Sequence, residues 1–392
     1  MRVEYRGMYN GYRLRGSLQL LCNCKHSGAG FVVASRQLER NAMAEEVTGI
    51  DFEKLTPWFR EHVAQVQSLE ATIIGHGRSN LTYRLESEGQ SWVLRRPPLS
   101  HVQAAAHDMG REYRVITALA GTDVAVPKTY ALCDDAGVIG APFFIMEYVE
   151  GLVPVDANAI KESYTEEQRR YMGERLVDTL VALHTLDPEE VGLGGFGKPA
   201  GYIERQVRRF TDQLEKVKTR DLPELEELAR RLAKAIPEHT DSTIVHGDYR
   251  LDNTMVNDDG NILAVLDWEM STLGDPLADL GILRMYWRDR ADAGEGPAVG
   301  NIGVIMLPGF PSWDEGRARY EKKSGRSLGN LDFYIALANF KLGVILENMH
   351  ARFKAGGTVG AGFEMIGAQV LLLAKTGLAA ADASSIAALR GE

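Results

Sequence analysis

Cysteine is scarce in this sequence, and long apolar runs are missing. Cys22, Cys24 and Cys133 are too few and odd in number for a disulfide framework, which indicates a reducing compartment. No stretch approaches the roughly 18 consecutive apolar residues of a membrane span. The run Leu18–Cys22 is too short for a signal-peptide core. The sequence therefore predicts a cytoplasmic protein without a membrane partner.

Positive charge is also in deficit. The 392 residues carry a formal net charge of −10, whereas binding to a nucleic-acid backbone requires clustered Lys and Arg. We therefore expect no nucleic-acid partner. Residues 1–42 differ from the rest, because seven Lys or Arg face only two acids there and no period of 2 or 3.6 is sustained. We interpret this segment as a flexible extension, with a mis-assigned gene start as the alternative.

Two common nucleotide-binding signatures are absent or incomplete. The sequence contains no G-x-x-x-x-G-K-[ST], which excludes a P-loop enzyme. Gly192–Gly197 formally matches G-x-G-x-x-G, but a predicted helix precedes it and Lys198-Pro199 follows it. A Rossmann site needs a strand before and a helix after the glycines, so this match is incidental.

Hydrophobic spacing divides the chain into a strand-rich part and a helix-rich part. Strands are predicted at residues 71–75, 81–85, 91–95, 129–133 and 143–148, with a helix over 103–120. Later helices are predicted from the capping box at 165–168 onward and at 200–218, 224–236, 275–288, 314–323, 331–353 and 363–378, with strands at 254–256 and 262–267 between them. We therefore predict a β-rich lobe over 43–147 and a mostly helical lobe over 148–392.

The strongest chemical pattern lies in His246–Asn253. In a kinase catalytic loop, an Asp meets the substrate hydroxyl and an Asn five residues later binds Mg²⁺. Asp248 and Asn253 have this spacing, and Asp267 follows on the next predicted strand, where it would be a second oxygen ligand. The structural alternative is a turn followed by a helix cap, which leaves the spacing unexplained.

These residues resemble the aminoglycoside/choline-type phosphotransferase family. The resemblance covers about residues 50–378 and is carried by His246–Asn253, Leu266–Leu280 and Phe340-Lys-Leu. It is especially close to the kinase-like domain fused to some acyl-CoA dehydrogenases and to its free-standing bacterial relatives. The resemblance implies an α+β, bilobal protein-kinase-like fold, with an N-terminal antiparallel β lobe, one main helix there, and a larger, mostly helical C-terminal lobe. It also implies the use of ATP and Mg²⁺.

Matched to the family position by position, Asp248 would be the catalytic base, and Asn253 and Asp267 the metal ligands. Arg250 could neutralise the transferring phosphoryl group, as a Lys does in many protein kinases; the alternative is a surface ion pair. Asp275, just before Pro276, is interpreted as a helix N-cap and is kept, like Asp279, off the catalytic list.

The nucleotide would meet the N-terminal part of the chain. Gly75, Gly77, Ser79 and Asn80 lie in a turn between two predicted strands, where backbone N–H groups could approach the phosphates. A plain hairpin turn would look the same.

Arg95 stands where the kinase family has its phosphate-binding Lys, and Glu112 on the next helix would pair with it. The alternative is an Arg on an edge strand with a solvated Glu112. Glu147 and Val149 resemble the hinge that meets the adenine edge. His184 is interpreted as a structural histidine whose hydrogen bonds are satisfied.

The acceptor is predicted from local charge and from the resemblance. Residues 315–354 hold eight basic and four acidic side chains, which indicates an anionic acceptor unless these residues only form solvated helix faces. The relatives named above resemble kinases of hydroxylated acyl-CoA, so we expect a small-molecule hydroxyl, first of all on a hydroxyacyl-CoA. An aminoglycoside, choline or homoserine-like kinase, and a non-catalytic ATP-binding pseudokinase suggested by Arg95, remain alternatives.

Overall fold

A computed structural model describes residues 47–74, 80–99, 108–238, 241–289, 303–356 and 363–392. The predicted extension over residues 1–42 lies outside this part of the chain. Within the described ranges, every helix is too short or too polar to cross a bilayer.

The N-terminal part of the described chain is built on one antiparallel sheet. Its strands are β1 Glu70–Ile73, β2 Leu81–Ser87, β3 Gln90–Arg96, β4 Thr129–Cys133 and β5 Phe143–Glu147. They pair in the order β1-β2-β3-β5-β4, so that β3 lies at the centre of the sheet. Three helices belong to this region: α1 Phe52–His62, α2 Met109–Leu119 and α3 Ala136–Ile139.

Local sequence explains how this sheet forms. The hairpin between β2 and β3 turns at Glu88 and Gly89, whose φ angles of 52° and 81° suit a tight two-residue turn. Along β2, buried Tyr83 and Leu85 alternate with more exposed neighbours, as expected for a strand with one face on a core. Helix α2 buries Val115, Ile116 and Leu119.

The C-terminal part of the described chain is mostly helical. Its helices are α4 Ala157–Ser163, α5 Glu166–Thr185, α6 Tyr202–Val217, α7 Pro223–Lys234, α8 Leu277–Tyr286, α9 Trp313–Ser324, α10 Leu331–Lys354, α11 Ile366–Asp382 and α12 Ala387–Arg390. The predicted capping box is present at the start of α5, where Thr165 and Gln168 exchange side-chain and backbone hydrogen bonds. An antiparallel sheet with its helices, followed by this helical region, confirms the predicted α+β class.

Two short strand pairs interrupt the helices and position the loops that carry Asp248 and Asp267. Strand β6, Thr243–Val245, pairs with β9, Thr272–Gly274, and β7, Thr254–Val256, pairs with β8, Ile262–Val265. Because of this nested pairing, the loop after β6 and the loop after β8 lie side by side. The backbone N–H of Leu266 donates to the carbonyl of Asn253 at 2.8 Å across the two loops.

Candidate active site

The loop after β6 carries Asp248 and has an unusual backbone at its start. Gly247 has φ +86°, and a Cβ atom there would lie 2.6 Å from the carbonyl oxygen of Met270. Only glycine fits this conformation and this close approach. His246 next to it is buried: its Nε2 donates to the carbonyl of Leu266 at 2.9 Å, and its Nδ1 accepts from the N–H of Asp248 at 3.2 Å. The imidazole therefore fixes the backbone around Asp248.

Asp279 on α8 also holds the loop that carries Asp248. Its two carboxylate oxygens accept the backbone N–H groups of His246, at 2.6 Å, and of Gly247, at 2.8 Å. Burial alone would raise the pKa of Asp279, but the contacts with His184, His246 and the Gly247 N–H outweigh it and lower the pKa. Asp279 is thus a positioning residue that the sequence prediction missed. The available signal was a lone carboxylate in the first turn of an otherwise apolar helix.

His184 and Asp275 support this region, as the sequence suggested. His184 is fully buried, with Nδ1 2.8 Å from the hydroxyl of Tyr320 and Nε2 3.3 Å from Asp279. It is a structural histidine with both nitrogens satisfied. Asp275 accepts the N–H of Leu277 at 2.9 Å, but α8 begins at Leu277 with Pro276 as its N-cap, so the predicted cap lies one residue early.

The Asp248 side chain is half-buried and lies between Asn253 and Arg250. The Nδ2 of Asn253 donates to the carbonyl of Asp248 at 2.8 Å and to its Oδ2 at 3.0 Å. Burial raises the pKa of Asp248, although Arg250 and His246 act in the opposite direction. The carboxylate is therefore desolvated, with its orientation fixed by a neighbouring amide.

Arg250 is partly enclosed rather than a surface residue. Its Nη1 lies 2.6 Å from Asp252 and its Nε 3.4 Å from the Oδ2 of Asp248. The guanidinium also stacks 4.7 Å above the ring of Tyr286. These contacts place a fixed positive charge beside Asp248.

Asp267 and Asn253 offer oxygen atoms at the junction of the two loops. Asp267 has φ 65° and ψ 59°, a left-handed conformation that is costly for a residue other than glycine and is often found at functional sites. Because the Nδ2 of Asn253 donates to Asp248, its Oδ1 is the atom left to act as a ligand. In the described ranges no group of three or more His, Cys, Asp or Glu side chains is arranged to hold a metal ion. An open pair of oxygen ligands fits Mg²⁺, which commonly takes its remaining ligands from phosphates and water.

Arg95 links the central strand of the sheet to this junction. Its Nε lies 2.9 Å from Glu112, and its Nη2 lies 2.5 Å from Asp267 and 4.0 Å from Glu269. The expected pair with Glu112 is present, whereas the edge-strand alternative is wrong, since β3 is internal and the Glu112 side chain is only 2% exposed.

Electrostatics within this cluster are strongly perturbed. Burial raises the pKa of Glu112 to about 7, against the opposing effect of Arg95 and with a further contribution from Asp267 and Glu269. Burial would lower the pKa of Arg95, but Glu112 and Asp267 outweigh it and raise that pKa.

Only some of the residues predicted to bind the nucleotide lie in the described part of the chain. Gly75, Gly77 and Ser79 lie outside the described residues. Asn80, which follows them, is buried and donates to Glu269 at 2.9 Å, a partner that the sequence prediction did not identify. Asn80 thereby joins the start of β2 to the loop that carries Asp267.

The predicted hinge lies at the end of β5. The N–H of Glu147 donates to the carbonyl of Lys128 at 2.8 Å, and the Glu147 carboxylate accepts the Lys128 N–H at 3.0 Å. Among the described residues, the backbone N–H of Val149 has no acceptor. Val149 therefore retains a free donor two residues beyond the end of the strand.

Comparison with known families gives a match over most of the chain. The family model described as "Phosphotransferase enzyme family" matches residues 70–318. Among curated proteins, acyl-CoA dehydrogenase family member 11 of Gallus gallus is 34% identical over 309 residues, which cover 77% of this chain and 39% of that protein. Family member 10 of Mus musculus is 33% identical over 290 residues, covering 74% of this chain and 27% of that protein. The chain thus spans two fifths or less of these relatives.

Solved structures give the same picture of the fold. A crystal structure from Ralstonia eutropha, named as an aminoglycoside phosphotransferase, is 36% identical with a TM-score of 0.71 and covers 83% of this chain and 97% of that one. The GDP complex of aminoglycoside 2'-phosphotransferase-IIIa is 16% identical with a TM-score of 0.55, and covers 83% and 96%. The second similarity concerns the fold alone.

Proposed function

Because this chain belongs to the phosphotransferase enzyme family, we propose that it transfers the terminal phosphoryl group of ATP to a hydroxyl of a small molecule, with Mg²⁺ as cofactor. The observation that carries the proposal is the junction of the two loops that carry Asp248, Asn253 and Asp267. Asn253 donates to Asp248, and the backbone of Leu266 binds Asn253 immediately before Asp267. One related structure is a GDP complex, which supports nucleotide use within this fold.

In this proposal Asp248 receives the acceptor hydroxyl. Its carboxylate orients the oxygen and takes the proton as a bond forms to the terminal phosphorus of ATP and the bond to the ADP oxygen breaks. Arg250, fixed beside Asp248, offsets negative charge on the group in transfer. Asn253 and Asp267 would hold Mg²⁺, which neutralises charge on the nucleotide phosphates when bound.

The nucleotide is assigned to the lobe over residues 43–147, and the acceptor to residues 148–392. Arg95, fixed by Glu112, would bind phosphate oxygens through its planar guanidinium. Gly75, Gly77, Ser79 and Asn80 would approach the phosphates. The free N–H of Val149, together with the backbone of Glu147, would bind the adenine edge.

For the acceptor we favour a hydroxyacyl-CoA. The curated relatives are named acyl-CoA dehydrogenases, so a kinase segment within them would act on a related acyl-CoA that carries a hydroxyl. An aminoglycoside is the second candidate, because the 36% identical structure is named for that activity. Choline and homoserine-like acceptors belong to the same test. Because Arg95 stands where the kinase family has a Lys, a non-catalytic ATP-binding role is tested beside these acceptors.

The test is a panel of acceptors with labelled ATP and Mg²⁺, followed by mass spectrometry of the product. The panel contains a hydroxyacyl-CoA, the matching acyl-CoA without the hydroxyl, an aminoglycoside, choline and homoserine. We expect phosphorylation of the hydroxyacyl-CoA only. Turnover of the aminoglycoside alone would reverse the choice of acceptor, and a thermal shift with Mg-ATP but no turnover would support the non-catalytic alternative.

Asp248→Asn supplies the matching variant test. We expect the rate to fall by roughly 10²–10⁴ while the thermal shift with Mg-ATP is kept. The control is Asp259→Asn, the same chemical change at an exposed position in the turn between β7 and β8. Equal activity of native protein and Asp248→Asn would contradict the assigned role.

A further inference from the structure

Part of the basic surplus of residues 315–354 is neutralised within the fold. Arg319 and Lys323 on α9 pair with Asp178 of α5, at 2.7 and 2.8 Å. Arg326 pairs with Asp241. These side chains are therefore unavailable as a general anion-binding surface. A cation that binds a group of the acceptor should therefore be one without such a partner.

Lys341, in the middle of α10, is a cation of this kind. It is half-buried, and it makes no ion pair or hydrogen bond with any residue in the described ranges. Its ammonium lies 5.4 Å from the ring centre of Phe210 on α6. It lines a small cavity with Tyr202 and Gln206 of α6 and Ala278 of α8. An enclosed charge without a partner is unfavourable, because desolvation is not repaid by pairing.

Helix α8 connects this cavity to the catalytic loop. Ala278 lines the cavity, and the next residue, Asp279, accepts the N–H groups of His246 and Gly247. Burial lowers the pKa of Lys341, and the charges of Asp279 and Asp248 only partly offset this effect. Neither carboxylate is a dedicated partner, because Asp279 is occupied by the loop and Asp248 is assigned to the acceptor hydroxyl.

We propose that Lys341 donates a hydrogen bond to an acyl oxygen of the acceptor and so fixes its distance from the hydroxyl held at Asp248. The proposal rests on the proposed function. The acyl oxygen is either the carboxylate of a hydroxy acid or the thioester carbonyl of a hydroxyacyl-CoA. The phosphates of CoA are excluded as this group, because the long pantetheine arm separates them from the acyl chain.

The experiment compares native protein, Lys341→Met and Lys354→Met. Methionine keeps the length of the chain and removes its charge, and Lys354 is an exposed lysine on the same helix. Kinetics are measured with a hydroxyacyl-CoA, the matching free hydroxy acid, and a matching alcohol without an acyl oxygen. For Lys341→Met we expect the acceptor KM to rise roughly 10- to 100-fold with the acyl acceptors, with an unchanged KM for ATP and no change for the alcohol. Lys354→Met should behave as native protein.

The two acyl acceptors distinguish the sources of the oxygen, since Lys341 binds the oxygen of the acceptor whose KM rises more in Lys341→Met. Lys341→Met should also unfold at the native temperature or above it without ligand, because the substitution removes an unpaired charge. An unchanged acceptor KM, an equal loss with the alcohol, or a parallel rise in the KM for ATP would overturn the inference while the proposed function stands. No turnover of either acyl acceptor by native protein would overturn both.

Discussion

The buried pair of Arg95 and Glu112 makes the stability of this protein depend on pH. Burial raises the pKa of Glu112 from 4.5 to about 7 despite the guanidinium beside it. In the unfolded chain Glu112 loses its proton near the lower value, so between the two pKa values the folded state binds more protons. The free energy of unfolding must therefore fall as pH rises through this window. The stability that protonated Glu112 contributes is fully present below the unfolded pKa and is lost above about pH 7.

The magnitude follows from the two pKa values. A pKa difference of about 2.5 corresponds to about 3.5 kcal/mol, at about 1.4 kcal/mol for each pKa unit. Between pH 5 and pH 8 the accessible part is about 2–3 kcal/mol. Solvent screening does not reduce this figure greatly, since the Glu112 side chain is 2% exposed.

Glu112→Gln isolates this effect, because the amide is nearly isosteric and does not titrate. Urea unfolding of native protein and Glu112→Gln at pH 5, 6, 7 and 8 gives the free energy of unfolding at each pH. From pH 5 to pH 8, we expect the free energy of unfolding of the variant to rise by about 2–3 kcal/mol relative to that of native protein. Glu61→Gln, an exposed change on α1, should show no such trend. A difference that is constant with pH, or that changes in the native protein's favour, would refute the reasoning, because Arg95 would then keep Glu112 ionised throughout.

Three further predictions concern the same site. Asp279→Asn should lower the free energy of unfolding by about 2–4 kcal/mol in urea, because a charged acceptor of two buried N–H groups is lost; a change below about 0.5 kcal/mol would contradict its anchoring role. Arg95→Lys should raise the KM for ATP about 10-fold without changing the acceptor KM, since an ammonium lacks the forked geometry; equal ATP kinetics would remove Arg95 from the nucleotide site. Gly247→Ala should lower the melting temperature more than Gly89→Ala, because both have positive φ but only the first brings a Cβ within 2.6 Å of Met270; equal losses would contradict the steric argument.

The loop over His246–Asn253 was predictable because its pattern is local. Asp248 and Asn253 lie on one loop, and the hydrogen bond between them spans five residues. The spacing of two residues on such a loop largely sets how their side chains meet, so sequence alone predicts the contact. The same applies to the capping box of α5, which spans three residues.

The supporting residues were not predictable in this way. Asp279 reaches His246 across 33 positions, and Glu269 reaches Asn80 across 189. Nothing in either segment specifies its partner, because the register between them is set by the packing of intervening elements. Strands β6 and β9 help to bring the loops of Asp248 and Asp267 together. They have only three residues each, too few for a period of 2 to be detected.

The charge argument shows why a sum over a segment is a poor guide to a ligand. Residues 315–354 carry a surplus of basic side chains, but Asp178, which lies 141 positions before Arg319, neutralises part of it across the fold. Paired surface charges contribute little to binding, because each already has a counter-ion and is screened by water. A single enclosed cation such as Lys341 differs, because its desolvation has been incurred on folding and a ligand oxygen can relieve it. The sign and place of unpaired, enclosed charge therefore predict the acceptor better than net charge does, and only the fold reveals them.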